Sequence, residues 1–491
     1  MFDRLSGVCS MATALARFVA LSLIVFLAAF LVACGGGSSH NSISVPPPSG
    51  GTPPPFQIPE TGISPFNFGM QCGIGDPADC QGPGGSVPIV WPDRQAQPGC
   101  LRLHDSGTYW AQLNPNQSGP NQYDWTNLDN WLDLIATEQP RCVIEVFTWT
   151  PCWDATTGTC GIDPTAPTGT NGVPNDLNAG GSPTFTAFVT AFANHCSPAG
   201  NCVSKYIKYY EMWNEWDLVF HWTGTMEQVY QMVAPAAKAI KSIITDATIL
   251  TPSATPDAMG AASNTGLGWQ ADFANWLALE DANPPHISDW IAWHVYLTNT
   301  STTTNTPETQ WGNYVRNPTT VMGFLDIQSA NPNWAKTPWA NTETNFGGNN
   351  LNYSCPTTEY SASDCAGQIV RWQLIQASNG AASVDWYKWN ETIGAIPQYE
   401  TAYYYMQKYM IGGTFAAPCS FTAANGASTW TCNFAESGGT QALWVWTPNE
   451  AGTTFTVPAG YVDYLDLTGA KTAVSAGQTI SISVEPILLE Q

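Results

Sequence analysis

The chain has 491 residues, 44% of them apolar, which is enough to bury a large core and too long for one average domain. Only 15 Lys and Arg stand against 38 Asp and Glu, a net charge of −23. That balance excludes the basic surface that nucleic acid or an anionic lipid surface requires.

Residues 1–34 read as an export signal: Arg4 and Arg17 precede an apolar run from Phe18 to Ala33. An uncleaved membrane span is the alternative, since the run approaches the minimum spanning length. Leu31-Val32-Ala33-Cys34 resembles a bacterial lipobox. That resemblance implies lipidation of Cys34, an anchor at the periplasmic face or cell surface, and no further membrane contact. Residues 35–60 are rich in Gly, Ser and Pro and read as a tether. Of the 14 Cys, setting aside Cys9 and Cys34 leaves an even 12. Ten fall into near pairs: Cys72/Cys80, Cys152/Cys160, Cys196/Cys202, Cys355/Cys365 and Cys419/Cys432; Cys100 and Cys142 remain. In an exported chain these read as disulfides, with buried free thiols as the alternative.

Residues 61–411 alternate strand-like and helix-like segments. Eight short apolar runs are expected as strands: Phe66–Met70, Cys100–His104, Cys142–Trp149, Tyr206–Trp213, Thr248–Pro252, Trp290–Tyr296, Pro338–Thr342 and Ser383–Trp389. Between them, Trp125, Leu128, Leu132 and Ile135 share one helical face. So do Phe185, Phe188 and Phe192, and likewise Trp269, Phe273, Trp276 and Leu277. Eight such alternations predict an α/β fold, a closed (β/α)8 barrel, with a doubly wound sheet as the rival. Gly412-Gly413 ends the last helical pattern, and residues 412–491 then alternate as strands do, as in Ala442–Trp446 and Ile480–Val484. A small antiparallel, sandwich-like β domain is expected there.

In a barrel, side chains at the C-terminal strand ends carry the chemistry. Glu215 ends the fourth strand after Trp213-Asn214, and Glu343 ends the seventh after Thr342. Two carboxylates facing each other across a barrel mouth can flank a glycosidic bond, one giving a proton and the other attacking the anomeric carbon. Glu145 and Glu211 lie inside their strands and are expected to pair internally, while Asp105 can reach a substrate. Six scattered His form no metal-ligand pattern, so neither metal nor cofactor is expected. The 22 Trp suit core packing and, at a cleft, stacking on sugar rings.

With Trp213-Asn214-Glu215 on strand four and Thr342-Glu343 on strand seven, the chain resembles a clan A glycoside hydrolase, most closely family 39 and its relatives. The resemblance implies a retaining double displacement, with Glu215 as acid/base, Glu343 as nucleophile and Asn214 on the substrate 2-hydroxyl. It further implies that Tyr296 hydrogen-bonds the nucleophile, that His294 lines the reacting subsite, and that Trp389 floors it. Trp216 stands where family members often carry Pro. By position, Arg102 is expected to keep the nucleophile ionised, His104 to bind a sugar hydroxyl, and Trp149 and Trp153 to wall a subsite. The expected activity is hydrolysis of a neutral poly- or oligosaccharide outside the cytoplasm, by a monomer. The alternatives are transglycosylation and a non-catalytic carbohydrate-binding lipoprotein.

Overall fold

Strand alternation sets the architecture, because every second residue of a barrel strand points inward and the others face the helices. The computed structural model describes residues 62–491 apart from 72–98, 120–121, 156, 164–166, 257–264, 298–305, 317–321, 348–354, 356–359, 390–391, 395, 425–426 and 450. Cys34, the tether, Cys72 and Cys80 lie outside the described residues.

The barrel strands are β1 (Phe68–Gln71), β2 (Cys100–Leu103), β3 (Cys142–Val146), β4 (Tyr209–Glu211), β5 (Thr248–Leu250), β6 (Ile291–His294), β7 (Trp339–Thr344) and β8 (Ala381–Trp386). They are parallel and neighbour one another in chain order, and β8 pairs back onto β1. Between β5 and β6 the ring closes through the bridges Leu250–Trp290 and Ala254–Trp293. The closed ring rules out the doubly wound alternative. Among the described residues, one helix of seven residues or more follows each of the strands β2 to β8: α1 (Thr126–Glu138), α2 (Pro183–Asn194), α3 (Met226–Ile243), α4 (Trp269–Asp281), α5 (Phe324–Ala330), α6 (Ala362–Ser378) and α7 (Pro397–Met410).

The helical faces expected from sequence are the buried ones. Leu128, Leu132 and Ile135 on α1, Phe185, Phe188 and Phe192 on α2, and Trp276 and Leu277 on α4 all pack onto the barrel. Local signals fix the helix starts. The Ser182 hydroxyl caps α2 ahead of Pro183, and Thr225 with Gln228 forms a capping box on α3. One expected strand is shorter than its apolar run. Residues Val203–Tyr206 make a helical turn, held by Ile207 N–H to the Val203 carbonyl, and β4 begins only at Tyr209.

Inside the barrel the lower layer is apolar: Cys100, Cys142, Ile144, Val146, Leu250 and Ala292 form one cluster. Above it the interior turns polar. Gly69 on β1 is required there, because a Cβ would stand 1.6 Å from the Asp385 carboxylate.

The described residues of the C-terminal region form nine antiparallel strands, β9 (Thr414–Phe415), β10 (Ser420–Ala424), β11 (Ala427–Ala435), β12 (Gln441–Trp446), β13 (Thr453–Thr456), β14 (Asp463–Leu465), β15 (Lys471–Ala473), β16 (Thr479–Ile482) and β17 (Ile487–Glu490). On β12 the alternation has a purpose on both faces. Ala442, Trp444 and Trp446 join the main core, while Leu443 and Val445 join a second small core with Ile480 and Leu489. The region is tied to the barrel by Ile63 N–H to the Gly413 carbonyl and by the Trp446 indole donating 2.7 Å to Glu308, itself paired with Arg371 on α6.

Five disulfides form among the described residues: Cys100–Cys142, Cys152–Cys160, Cys196–Cys202, Cys355–Cys365 and Cys419–Cys432. Such a set belongs to an oxidising compartment, extracellular or periplasmic. Among the described residues, no helix is long and apolar enough to cross a membrane.

Candidate active site

The site is built on one cation. Arg102 points inward from β2 between the helix-facing Leu101 and Leu103, and it is fully buried. All five of its N–H donors are taken. Nε and Nη2 give a forked pair to Glu211 at 3.1 and 2.8 Å, and Nη2 also reaches Asn214 Oδ1 at 2.7 Å. Nη1 reaches Gln71 Oε1 and Glu343 Oε2, each at 2.6 Å. Such a planar, saturated guanidinium fixes the carboxylates and the Asn214 amide in one orientation.

Glu343 faces this cation only because β7 carries an extra residue. Asn341 pairs with Trp293 on β6, but the next β6 residue, His294, pairs with Glu343; the register on β8 slips by one residue at the same place. Asn341 and Thr344 bond to Gln376 and Trp372 of α6 and so face the helices. Thr342 is the inserted residue, and the bulge turns Glu343 into the barrel. There Tyr296 donates its hydroxyl to Glu343 Oε1.

Glu215 lies four residues beyond β4, in a left-handed conformation with φ of 43°, and its N–H donates to Ser253. His294 Nδ1 meets its Oε1 at 2.7 Å, and His221 Nε2 meets its Oε2 at 3.0 Å. The other His294 nitrogen meets Arg102 Nη2 at 3.3 Å and lies 3.6 Å from Glu211. Burial alone would lower the His294 pKa, but Glu343, Glu211 and Glu215 around it raise it to about 9. The same contacts act in reverse on the acids. Burial would raise Glu215, but hydrogen bonds from His221 and His294 hold it well below the usual carboxylate range. Glu215 and His294 therefore share a proton and titrate as a pair. Glu211 is likewise held far down, its burial outweighed by Arg102.

One oxygen of Glu215 and one of Glu343 lie within 4.8 Å of each other, with a His294 nitrogen inside the same radius. That spacing would also suit a small cation. Positive charge is already supplied at this place by the Arg102 guanidinium bonded to Glu343.

The other residues read from sequence distribute around this centre. His104, next after β2, accepts from Gln71 at 3.0 Å and lies 3.9 Å from Glu343; burial lowers its pKa. Asp105 takes hydroxyl bonds from Tyr109 and Tyr387, the latter at 2.5 Å. Trp149 is buried against His221 and Phe220 at centroid distances of 5.1 and 5.4 Å. Trp153 is half-buried and donates to the Asn114 carbonyl.

Two expectations need correction. Trp389 is not at the end of β8 but three residues beyond it, fully buried edge-on against Tyr403 of α7, because the chain must turn there into the last helix. Glu145 has no ionic partner among the described residues. Like Val143 it faces the helix layer, and burial raises its pKa well above the usual range, with Thr108 opposing. Glu211, by contrast, is internally paired as expected. Sequence reasoning missed Gln71, Ser253, His221 and Tyr387. Gln71 was findable, since it stands two residues after the inward Gly69. His221 carried no signal, lying in a loop without periodicity.

No protein-family model matches the chain, and no curated protein sequence does. Solved structures do. A family 39 glycoside hydrolase from Bacteroides cellulosilyticus superposes with a TM-score of 0.56 at 14% identity, over 88% of this chain and 82% of that one. The fold is the one these hydrolases carry. A glucosidase from Croceicoccus marinus follows at 0.53 and 13% identity, over 88% and 96% of the two chains. A monomeric β-xylosidase from Caulobacter crescentus gives 0.52 and 14%, over 88% and 97%. In each case the similarity extends beyond the barrel into the C-terminal β region, as the coverage requires.

Proposed function

We propose that the chain is a retaining glycoside hydrolase, with Glu343 as nucleophile and Glu215 as acid/base. The observation that carries this reading is the approach of the two carboxylates to within 4.8 Å. A retaining pair stands about 5 to 5.5 Å apart, whereas an inverting pair leaves about 6.5 to 9.5 Å for a water. Their surroundings divide the labour. Arg102 and Tyr296 bond to Glu343, as a group that must stay anionic and attack needs. Glu215 instead shares a proton with His294, as a group that gives and takes one needs. Attack by Glu343 on the anomeric carbon breaks the glycosidic bond, and the departing oxygen takes the proton held by the Glu215–His294 pair. Water then gives its proton to Glu215 and releases the sugar.

The substrate best suited is a neutral poly- or oligosaccharide. Arg102 has no donor left for a sugar carboxylate, because all five of its N–H groups are taken by Glu211, Asn214, Gln71 and Glu343. The resemblance to family 39 relatives, the five disulfides and the lipobox-like segment at Cys34 support a lipid-anchored enzyme acting outside the cytoplasm.

Azide tests the assignment. Glu215→Ala should still form the glycosyl-enzyme from an activated aryl glycoside and then stall. Azide should restore turnover and yield a glycosyl azide of retained configuration. With Glu343→Ala the azide product should be inverted. The opposite pattern would exchange the two roles, and full activity in both variants would place the site elsewhere.

A further inference from the structure

Both oxygens of Glu215 are occupied, and by two different histidines. His294 belongs to the barrel floor: it is fully buried on β6 and tied through Glu211 to Arg102. His221 belongs to the rim. It sits in the turn that follows Glu215, where its N–H and that of Trp222 both bond to the Leu218 carbonyl. The two residues before it, Val219 and Phe220, are each 40% exposed. The turn is pinned from outside, as Asn171 Nδ2 donates to the Val219 carbonyl and Thr223 N–H to the Asn171 carbonyl.

The His221 ring itself is held only on its faces and at one nitrogen. Trp149 and Phe220 pack against it at 5.1 and 4.9 Å, and Nε2 meets Glu215 Oε2 at 3.0 Å. Its Nδ1 has no hydrogen-bond partner among the described residues. Asn214 cannot replace Glu215 as the main partner, because Arg102 fixes its amide so that Nδ2 stands 3.4 Å from the same His221 nitrogen.

A leaving-group oxygen must reach one oxygen of Glu215. Oε1 is bound to a buried, doubly tethered histidine, so Oε2 is the one that can be surrendered. Resting on the assignment of Glu215 as acid/base, we propose that His221 is a positioning residue. It donates to Oε2, keeps Glu215 a carboxylate between half-reactions, and gives up that oxygen to the leaving group. When the aglycone has left, the contact reforms and Glu215 is ready as a base for water.

The groups facing this pair are few. They are His294 on β6, Glu343 on β7, Asp217 in the same loop, and His104 with Asp105 after β2. Of these, His294 is the one within hydrogen-bond distance of Glu215, at 2.7 Å. Removing the His221 donor destabilises the carboxylate form of Glu215, so the proton that it shares with His294 is held to higher pH.

His221→Phe, which keeps the ring packing, and His221→Gln, which keeps a donor, separate the two contributions. For His221→Phe, the alkaline limb of kcat/KM and the acid limb of kcat on an activated aryl glycoside should both move upward by about one pH unit. His221→Gln should restore most of the shift. His221→Ala carries the same expectation as His221→Phe should the larger ring prevent folding. Rates lowered with both limbs in place would overturn the proposal and leave His221 a packing residue. So would a His221→Gln enzyme displaced as far as His221→Phe. Azide rescue of Glu215→Ala, run in parallel, is independent of His221. If that rescue fails, the acid/base assignment falls; if it succeeds and the limbs stay fixed, only the role of His221 falls.

Discussion

At the scale of the residue, the site is a chain of shared protons anchored to one guanidinium. The carboxylates around His294 outweigh its burial and raise its pKa to about 9, so the pair it forms with Glu215 holds its shared proton into alkaline solution. Activity should therefore fall as pH rises through about 9. A Glu215→Gln enzyme should lose that alkaline limb in a kcat/KM profile; retention of the limb would assign it to another group. Tyr296 donates its hydroxyl to Oε1 of the attacking carboxylate. Hydrogen bonds to charged groups contribute about 1.5 to 3 kcal/mol, so Tyr296→Phe should lower kcat/KM by about tenfold to a hundredfold. A loss under twofold would remove Tyr296 from the machinery.

At the scale of the element, two devices place the site. The extra residue in β7 turns Glu343 inward, and deletion of Thr342 should restore even alternation and turn Glu343 toward α6. Such a variant should keep its far-ultraviolet circular dichroism and lose activity; an active deletion variant would show that the bulge does not aim Glu343. The second device lies at the other end of the strands. Cys100 and Cys142 are register partners on β2 and β3, and their bridge closes a segment of 42 residues that includes α1. By loop-closure entropy such a bridge stabilises the fold by about 4 kcal/mol. Replacing both cysteines with Ala should lower the stability seen in denaturant titration toward that extent. It should leave activity in native buffer little changed, because the bridge lies at the ends of the strands remote from Glu215 and Glu343.

At the scale of the whole molecule, charge sets the pH range of stability. His294 is raised from its ordinary value to about 9, and burial raises the Asp385 carboxyl from 3.8 to about 8. In both cases the folded state holds a proton that the unfolded chain releases at lower pH. Stability is therefore lost as pH rises through roughly 4 to 8 for Asp385 and 6.5 to 9 for His294. The net charge of −23 adds self-repulsion of the same sign. In the other direction, Glu211 and Glu215 are depressed, so their contribution disappears as pH falls below the ordinary carboxylate range. Urea unfolding should show greater stability at pH 5.5 than at pH 8.5, and the reverse order would contradict this account. Thiol titration of denatured, unreduced protein tests the cysteine pattern: more than about two free thiols would break the model of an even, fully paired set.

The α/β class was determined by the sequence itself. Eight apolar runs, spaced by amphipathic stretches such as Phe185-Phe188-Phe192, require a parallel sheet covered on both faces, and the return of β8 onto β1 then decided for a barrel over a doubly wound sheet. Chain position likewise put Glu343 near the end of β7, whereas Glu215 lies in the loop four residues past β4, and period-two alternation put Arg102 and His104, or His294 and Tyr296, on one side of their strands. What the sequence could not contain was register and distance. The slip at Thr342, the left-handed backbone at Glu215 and the turn that brings His221 to Oε2 depend on neighbours far along the chain. Trp389 and Glu145 show the same limit from the other side. Each has the residue type a site would use, but the path of its own segment turns it into the core. Local periodicity decides which face a side chain takes; only closure of the ring decides which side chains then meet.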